Sequence, residues 1–195
     1  MVLIENLRQN LSPAEIQFLC ENEMISILPR YSMPKLDLIA DRVPQLKGMK
    51  RVEVPLWIAL ILKGQGKCNI IIPDWLNHDH LSEIYEQERK FPHMFSKLPW
   101  NWIELAKIML TKAADDLQDS STYLRSILQD LKELRQLKSK RGLRELNESN
   151  IQLNGLSLME INEMRPFVLG VMGKLRELHE STTVEEGEGE GSDFE

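Results

Sequence analysis

The chain has 195 residues, 42% of them hydrophobic, which suits one larger or two small globular domains and excludes a wholly disordered chain. Its longest apolar run, VPLWIALIL from Val54, falls far short of the roughly 20 residues of a membrane span. The net charge of −6 resides in STTVEEGEGEGSDFE, where Glu185, Glu186, Glu188, Glu190, Asp193 and Glu195 leave 24 acidic against 24 basic residues elsewhere, and so neutral a body argues against charge-driven binding to nucleic acid. The first residues, MVLIENLRQN, lack a basic start followed by a greasy segment, and Cys20 and Cys68 are too few and too far apart for a disulfide framework. A reducing compartment, cytosol or nucleus, is expected.

In chain order, SPAE at Ser12 to Glu15 is a capping box with proline in the first turn, opening a helix to about Glu21. MISILPRY, KLDLIA and RVEV follow, short and rich in branched residues, and read as strands. PLWIALIL fits either a short helix or a buried strand; a helix start is taken at Pro55, because proline would interrupt a central strand. CNIII is a further strand, ending at Pro73. From Asp74 onward the pattern is helical. Asp74 or Asp79 is the expected cap of a helix ended by Pro92, and a second helix runs from LPWNW to Leu117. A third starts after Ser120 with Leu124, Ile127, Leu128, Leu131, Leu134 and Leu137 on its buried side, loosening near Gly142. Ser157 and Glu160 form another capping box, stapled by Leu156 and Ile161, and open a helix with an apolar stripe through Met164, Val168, Val171, Leu175 and Leu178. Pro166 lacks the N–H that would bond the Asn162 carbonyl, so a bend or break is expected there. The Gly/Glu-rich tail is expected to be disordered.

The fold class is therefore α+β. A small β-rich unit with an N-terminal helix is expected over 1–65, a larger helical unit over 66–180 and an acidic tail over 181–195. Trp57, Trp100, Trp102, Leu105 and Met109 are the expected core residues.

Catalytic motifs fail on spacing. KGQGKC lacks the first glycine and the Ser/Thr of a phosphate loop, with Ile61 and Cys68 in their places. His78, Asp79 and His80 lie at spacings that point apart on a helix and lack a supporting cysteine pair. Asp115 and Asp116 sit where capping or solvation explains them, and GLSLM lacks the closing glycine of a nucleophile elbow. No catalytic, cofactor-binding or metal-binding residue is assigned, and no enzyme is expected. What stands out is apolar surface in excess of one core, which fits an obligate subunit.

Four segments in order and spacing carry a resemblance: VEVPLWIALILKGQGKCNIIIPDWL (52–76), LPWNWIELAKIMLTKAADD (98–116), LRQLKSKRGLRELNES (134–149) and LSLMEINEMRPF (156–167). Together they resemble the second partner-of-Sld-five subunit of the eukaryotic GINS complex, in its fungal form, from about Ser12 to Leu178. The resemblance implies a heterotetramer with three other GINS subunits, each pairing a helical domain with a small β-rich one. It also implies a nuclear, non-catalytic role in DNA replication, joining the minichromosome maintenance ring (MCM) and the cell-division-cycle forty-five protein in the replicative helicase. On the matching segments, Met164, Phe167, Val171 and Leu175 are the expected contacts with sister subunits. Arg135, Lys138 and Arg141 are the expected contacts with an acidic partner or, weakly, with DNA phosphate. The alternative is a free-standing nucleic-acid-binding protein using the basic helix 132–144. No cofactor and no membrane are expected.

Overall fold

The structure, a computed structural model, describes residues 10–38, 42–144 and 153–189. The first capping box forms: Ser12 Oγ accepts from the Glu15 N–H at 3.3 Å, the Glu15 carboxylate accepts from the Ser12 N–H at 2.7 Å, and α1 (Pro13–Glu21) follows. β1 (Met24–Pro29) is the middle strand of a three-stranded antiparallel sheet. Among the described residues of KLDLIA the strand is β2 (Leu36–Asp37), paired with β3 (Arg42–Val43), a strand too short to show any period in the sequence. β4 (Val52–Pro55) pairs Val54 with Ile25 and Pro55 with Met24 at one edge of the sheet. Pro55 thus ends an edge strand, where proline is tolerated, and also forms the N-cap of α2 (Leu56–Gly64). β5 (Cys68–Ile70) lies beyond residue 65, where the small unit was expected to end, yet pairs Ile70 with Ile27 and completes the sheet.

α3 (His78–Lys90) is capped by neither expected aspartate. Asn77 holds that place, its Oδ1 accepting from the Asp79 N–H at 2.9 Å, while Asp119 takes the His78 N–H at 2.9 Å. Asn77→Ala is expected to cost about 1 kcal/mol, a loss of one side-chain cap, seen as a lower thermal midpoint with unchanged secondary structure.

α4 (Trp102–Lys112) stops short of the expected Leu117 because the chain turns into a 3₁₀ turn at Ala114–Asp116. That turn delivers both carboxylates to α2: Lys63 Nζ lies 2.6 Å from Asp115 and 2.7 Å from Asp116, and Asp116 also accepts the Ile70 N–H at 2.7 Å. The pair that looked like capping residues is therefore a strap between the helical region and the sheet.

α5 (Ser121–Arg144) continues through Gly142, and α6 (Leu158–Gly189) continues through Pro166. The expected break is absent. Proline removes one backbone bond, which a long helix can lose without ending there. α6 also runs past residue 180, so the segment expected as tail begins as its continuation, and residues 190–195 lie outside the described ones.

One apolar cluster runs from Ile27 of the sheet and Leu56 of α2 to Trp102 and Met109 of α4 and Leu124 and Leu131 of α5. Trp102, Leu105 and Met109 are buried, and Trp57 is half-buried against the cluster. Trp100 is 44% exposed and corrects the expectation: its indole N–H donates to Glu23 at 2.5 Å and its carbonyl accepts the Leu158 N–H at 2.7 Å, tying the start of α6 to the turn between α1 and β1.

Candidate interaction surface

α6 is the element to account for, because it is long and anchored mainly through its first turns. Its capping box is formed and buried: the Ser157 N–H donates to Glu160 Oε2 at 2.7 Å, and Ser157 Oγ accepts from the Glu160 N–H at 3.4 Å. The same carboxylate receives the fork of Arg135, Nε to Oε1 at 2.7 Å and Nη2 to Oε2 at 3.0 Å. Arg135 further donates Nη1 to Glu88 at 2.5 Å and Nη2 to the Gly155 carbonyl at 2.6 Å, and its guanidinium lies 4.9 Å from the centre of the Phe95 ring. Lys138 caps the other Glu88 oxygen and the carbonyls of Phe91 and Met94, at 2.7 and 2.8 Å, while Ser96 donates N–H and Oγ–H to Glu88 at 2.9 and 2.6 Å. Two cations and two carboxylates therefore close a neutral, fully bonded network that locks α3, α5, the 91–96 loop and the first turn of α6 together.

Burial alone would raise the Glu88 and Glu160 carboxyls. Lys138, Ser96 and Arg135 outweigh it at Glu88, and Arg135 and Ser157 outweigh it at Glu160, so both stay below the usual glutamate value. Burial would lower the Arg135 guanidinium, and Glu160 and Glu88 hold it above its usual value.

Two of the expected surface cations are therefore internal. Arg135 is 0% exposed and Lys138 is 9% exposed, both spent on carboxylates within the chain, which corrects their expected role toward DNA or an acidic partner; Arg141 alone of the three is exposed. The sequence held a signal for this. Arg135 and Lys138 continue the buried stripe Leu124, Leu128, Leu131 in alternating steps of four and three, and Glu88 continues Leu81 and Ile84 on α3. Leu137, expected inside, falls off that stripe and is 65% exposed.

Gly155 has φ +80°, and a Cβ there would lie 2.9 Å from the Phe95 Cβ. Gly155→Ala is expected to cost at least about 1 kcal/mol from backbone conformation alone, visible as a lower denaturant midpoint.

Met164 and Phe167, with Leu143 and Ser139 of α5, line a groove of about 520 Å³. Phe167 is 53% exposed, Leu169 38% and Leu178 62%, while Met164, Val171 and Leu175 are half-buried. Met164, Phe167, Val171 and Leu175 follow one another at helical spacing, so the four expected contact residues share one face of α6.

Both thiols are inert components of the core. Burial pushes Cys20 up to about 12 and Cys68 up to about 11. Among the described residues, no group of three or more His, Cys, Asp or Glu could hold a metal ion, and no helix is long and apolar enough to cross a membrane.

Comparison with known proteins accords with this architecture. Residues 12–71 match the family model described as the PSF2 N-terminal domain, and residues 75–179 match the GINS complex protein helical bundle domain. The chain is 62% identical over 193 residues to a protein of Debaryomyces hansenii named DNA replication complex GINS protein PSF2, covering 99% of this chain and 94% of that one. Proteins of the same name from Saccharomyces cerevisiae and Schizosaccharomyces pombe are 42% and 39% identical, across 100% and 91% of this chain and 99% and 96% of theirs. The chain belongs to the PSF2 family of GINS complex proteins of DNA replication.

Proposed function

We propose that the chain is a non-catalytic structural subunit of a nuclear GINS heterotetramer, which joins the MCM ring and the cell-division-cycle forty-five protein in the replicative helicase. The observation that carries this reading is α6: a helix fixed at its base by a buried ion network and exposing apolar side chains beyond it. Such a helix has reason to be held rigid only if something docks on it, and the GINS relatives' name supplies the class of partner. In this reading Met164, Phe167, Val171 and Leu175 meet sister subunits. The sheet, strapped to the helical region by Lys63, travels with it as one docking body.

The rival reading, a free-standing nucleic-acid binder using helix 132–144, loses two of its cations to the interior. Co-expression with the three other GINS subunits, followed by native mass measurement, tests the proposal. One particle with each subunit present once, against self-association of the chain alone, is the expected result. A well-behaved monomer that ignores the other three would overturn it and send the question to DNA titration at two salt concentrations.

A further inference from the structure

The body of the chain is neutral in sum but not in distribution. Between Met24 and Ile70 stand eight lysines and arginines against three acidic residues. Three of the eight are spent within the chain: Lys35 and Arg42 lie beside Asp37, and Lys63 holds Asp115 and Asp116. The other five, Arg30, Lys47, Lys50, Arg51 and Lys67, are exposed and make no ion pair among the described residues.

The sheet gathers these five at one end. β1 finishes just before Arg30, while β4 starts just after Arg51 and β5 just after Lys67, so antiparallel pairing brings the three cation-bearing strand ends together. On one side of β1 the Pro29 carbonyl accepts the Met49 N–H at 2.8 Å and fixes the turn that carries Lys47 and Lys50; on the other, the Arg30 N–H donates to the Lys67 carbonyl at 2.8 Å. KGQGK, whose spacing fails for a phosphate loop, is thus the turn that delivers Lys67. At a strand spacing of about 4.8 Å, the three ends lie within about 10 Å. Arg30 and Arg51 stand on the outer face of the sheet, opposite the buried Ile25, Ile27, Val54 and Ile70. Each is anchored through Nε to a neutral acceptor, Arg30 to Asn69 Oδ1 at 2.8 Å and Arg51 to Ser26 Oγ at 3.0 Å. Their Nη groups have no partner among the described residues, so two planar forks are held in place with their charge uncompensated. Glu53, further along the same face, pairs with none of the five.

We propose that this end of the sheet binds the phosphodiester backbone of DNA without regard to base sequence. A guanidinium oriented by a neutral side chain keeps its charge and its paired donors for a phosphate. Protein-binding surfaces are depleted in lysine and centred on apolar residues, whereas three of these five cations are lysines on exposed turns. Tyr31, next to Arg30 and 64% exposed, offers a ring on which an unpaired base can stack. Membership of a DNA replication complex family puts such a backbone within reach. The surface shares no residue with the α6 face, so it stands or falls apart from the subunit contacts assigned there.

The test is fluorescence anisotropy of a labelled oligothymidylate and of a labelled duplex, titrated with the assembled GINS tetramer at several salt concentrations. The triple variant Lys47→Gln, Lys50→Gln, Lys67→Gln removes three exposed charges and no side-chain hydrogen bond among the described residues. It is expected to weaken binding at least about tenfold, and to flatten the slope of log K against log salt by about 2 on the single strand and about 3 on the duplex. A loss on one DNA form upholds the surface and identifies that form; a loss on both upholds it for the backbone they share. Lys35→Gln, whose charge faces Asp37, should change neither quantity, and an equal loss there would reduce the effect to net charge and overturn the proposal. A triple variant that binds like the wild type, or a wild-type tetramer that binds neither DNA, would also overturn it. So would tighter binding of the wild-type tetramer to poly-L-glutamate that the triple variant abolishes, which would assign the surface to an acidic protein. The mass of the tetramer is measured before each titration, so that a failure to assemble is read separately, and in that case the full chain alone is titrated in the same way.

Discussion

Arg135→Ala is expected to destabilise the chain by about 3–5 kcal/mol, because it removes one member of a buried ion network and leaves two desolvated carboxylates facing each other across the gap. Glu160 would keep only its contacts with Ser157, and Glu88 only Lys138 and Ser96. The measurement is the denaturant midpoint of the chain in its assembled form. Arg135→Lys retains the charge without the planar fork that reaches Glu88, Glu160 and the Gly155 carbonyl at once, so it should recover only part of the loss. An unchanged midpoint for Arg135→Ala would mean the network contributes nothing net.

The same pair of variants carries a pH signature. Glu88 and Glu160 lie below their ordinary value of 4.5 when folded, so the stability they contribute is complete above that value and is lost as the pH falls through their folded values. Removing Arg135 brings both carboxyls closer to the unfolded value and erases part of that contribution. The gap between the wild-type chain and Arg135→Ala should therefore be widest near neutral pH and narrow below about pH 4.5. A gap that widens on acidification would contradict the assignment of charge in the network.

How this network escaped the sequence shows where local reasoning stops. The capping boxes at Ser12 and Ser157 were legible because every atom they use lies within four residues. The helix faces were legible because their period repeats. The partner of Arg135 lies 47 residues away at Glu88, and no local rule joins them. Counting charges along 132–144 treated each cation alike, although the helical period separates Arg135 and Lys138, which face inward, from Arg141, which faces out. Pro166 went the opposite way for the break: a local rule foretold a bend or break, and a 32-residue helix continues through the proline. Asp115 and Asp116 ended α4 early for a reason that lies on α2, where Lys63 waits for both.

Phe167→Ala separates the interface reading from a mere packing role. With 53% of the residue exposed, its loss should change the stability of the isolated chain by less than about 1 kcal/mol, in the manner of a surface substitution. Its loss from a buried subunit contact should cost about 2 kcal/mol or more, a roughly 30-fold weaker assembly, because a large aromatic on an exposed helix face is the kind of anchor that dominates an interface. Dilution of the co-expressed complex, followed by its mass, reads the second quantity, and a thermal melt of the variant reads the first. Assembly at low concentration equal to that of the wild type removes Phe167 from the interface and leaves Met164, Val171 and Leu175 without their central member. A large drop in the melt instead places Phe167 in the chain's own packing against Leu143, where its groove already lies. The two losses fall on different measurements because the base of α6 is secured by Arg135 and Glu160, several residues before Phe167, so the helix should stand whether or not the aromatic remains on its face.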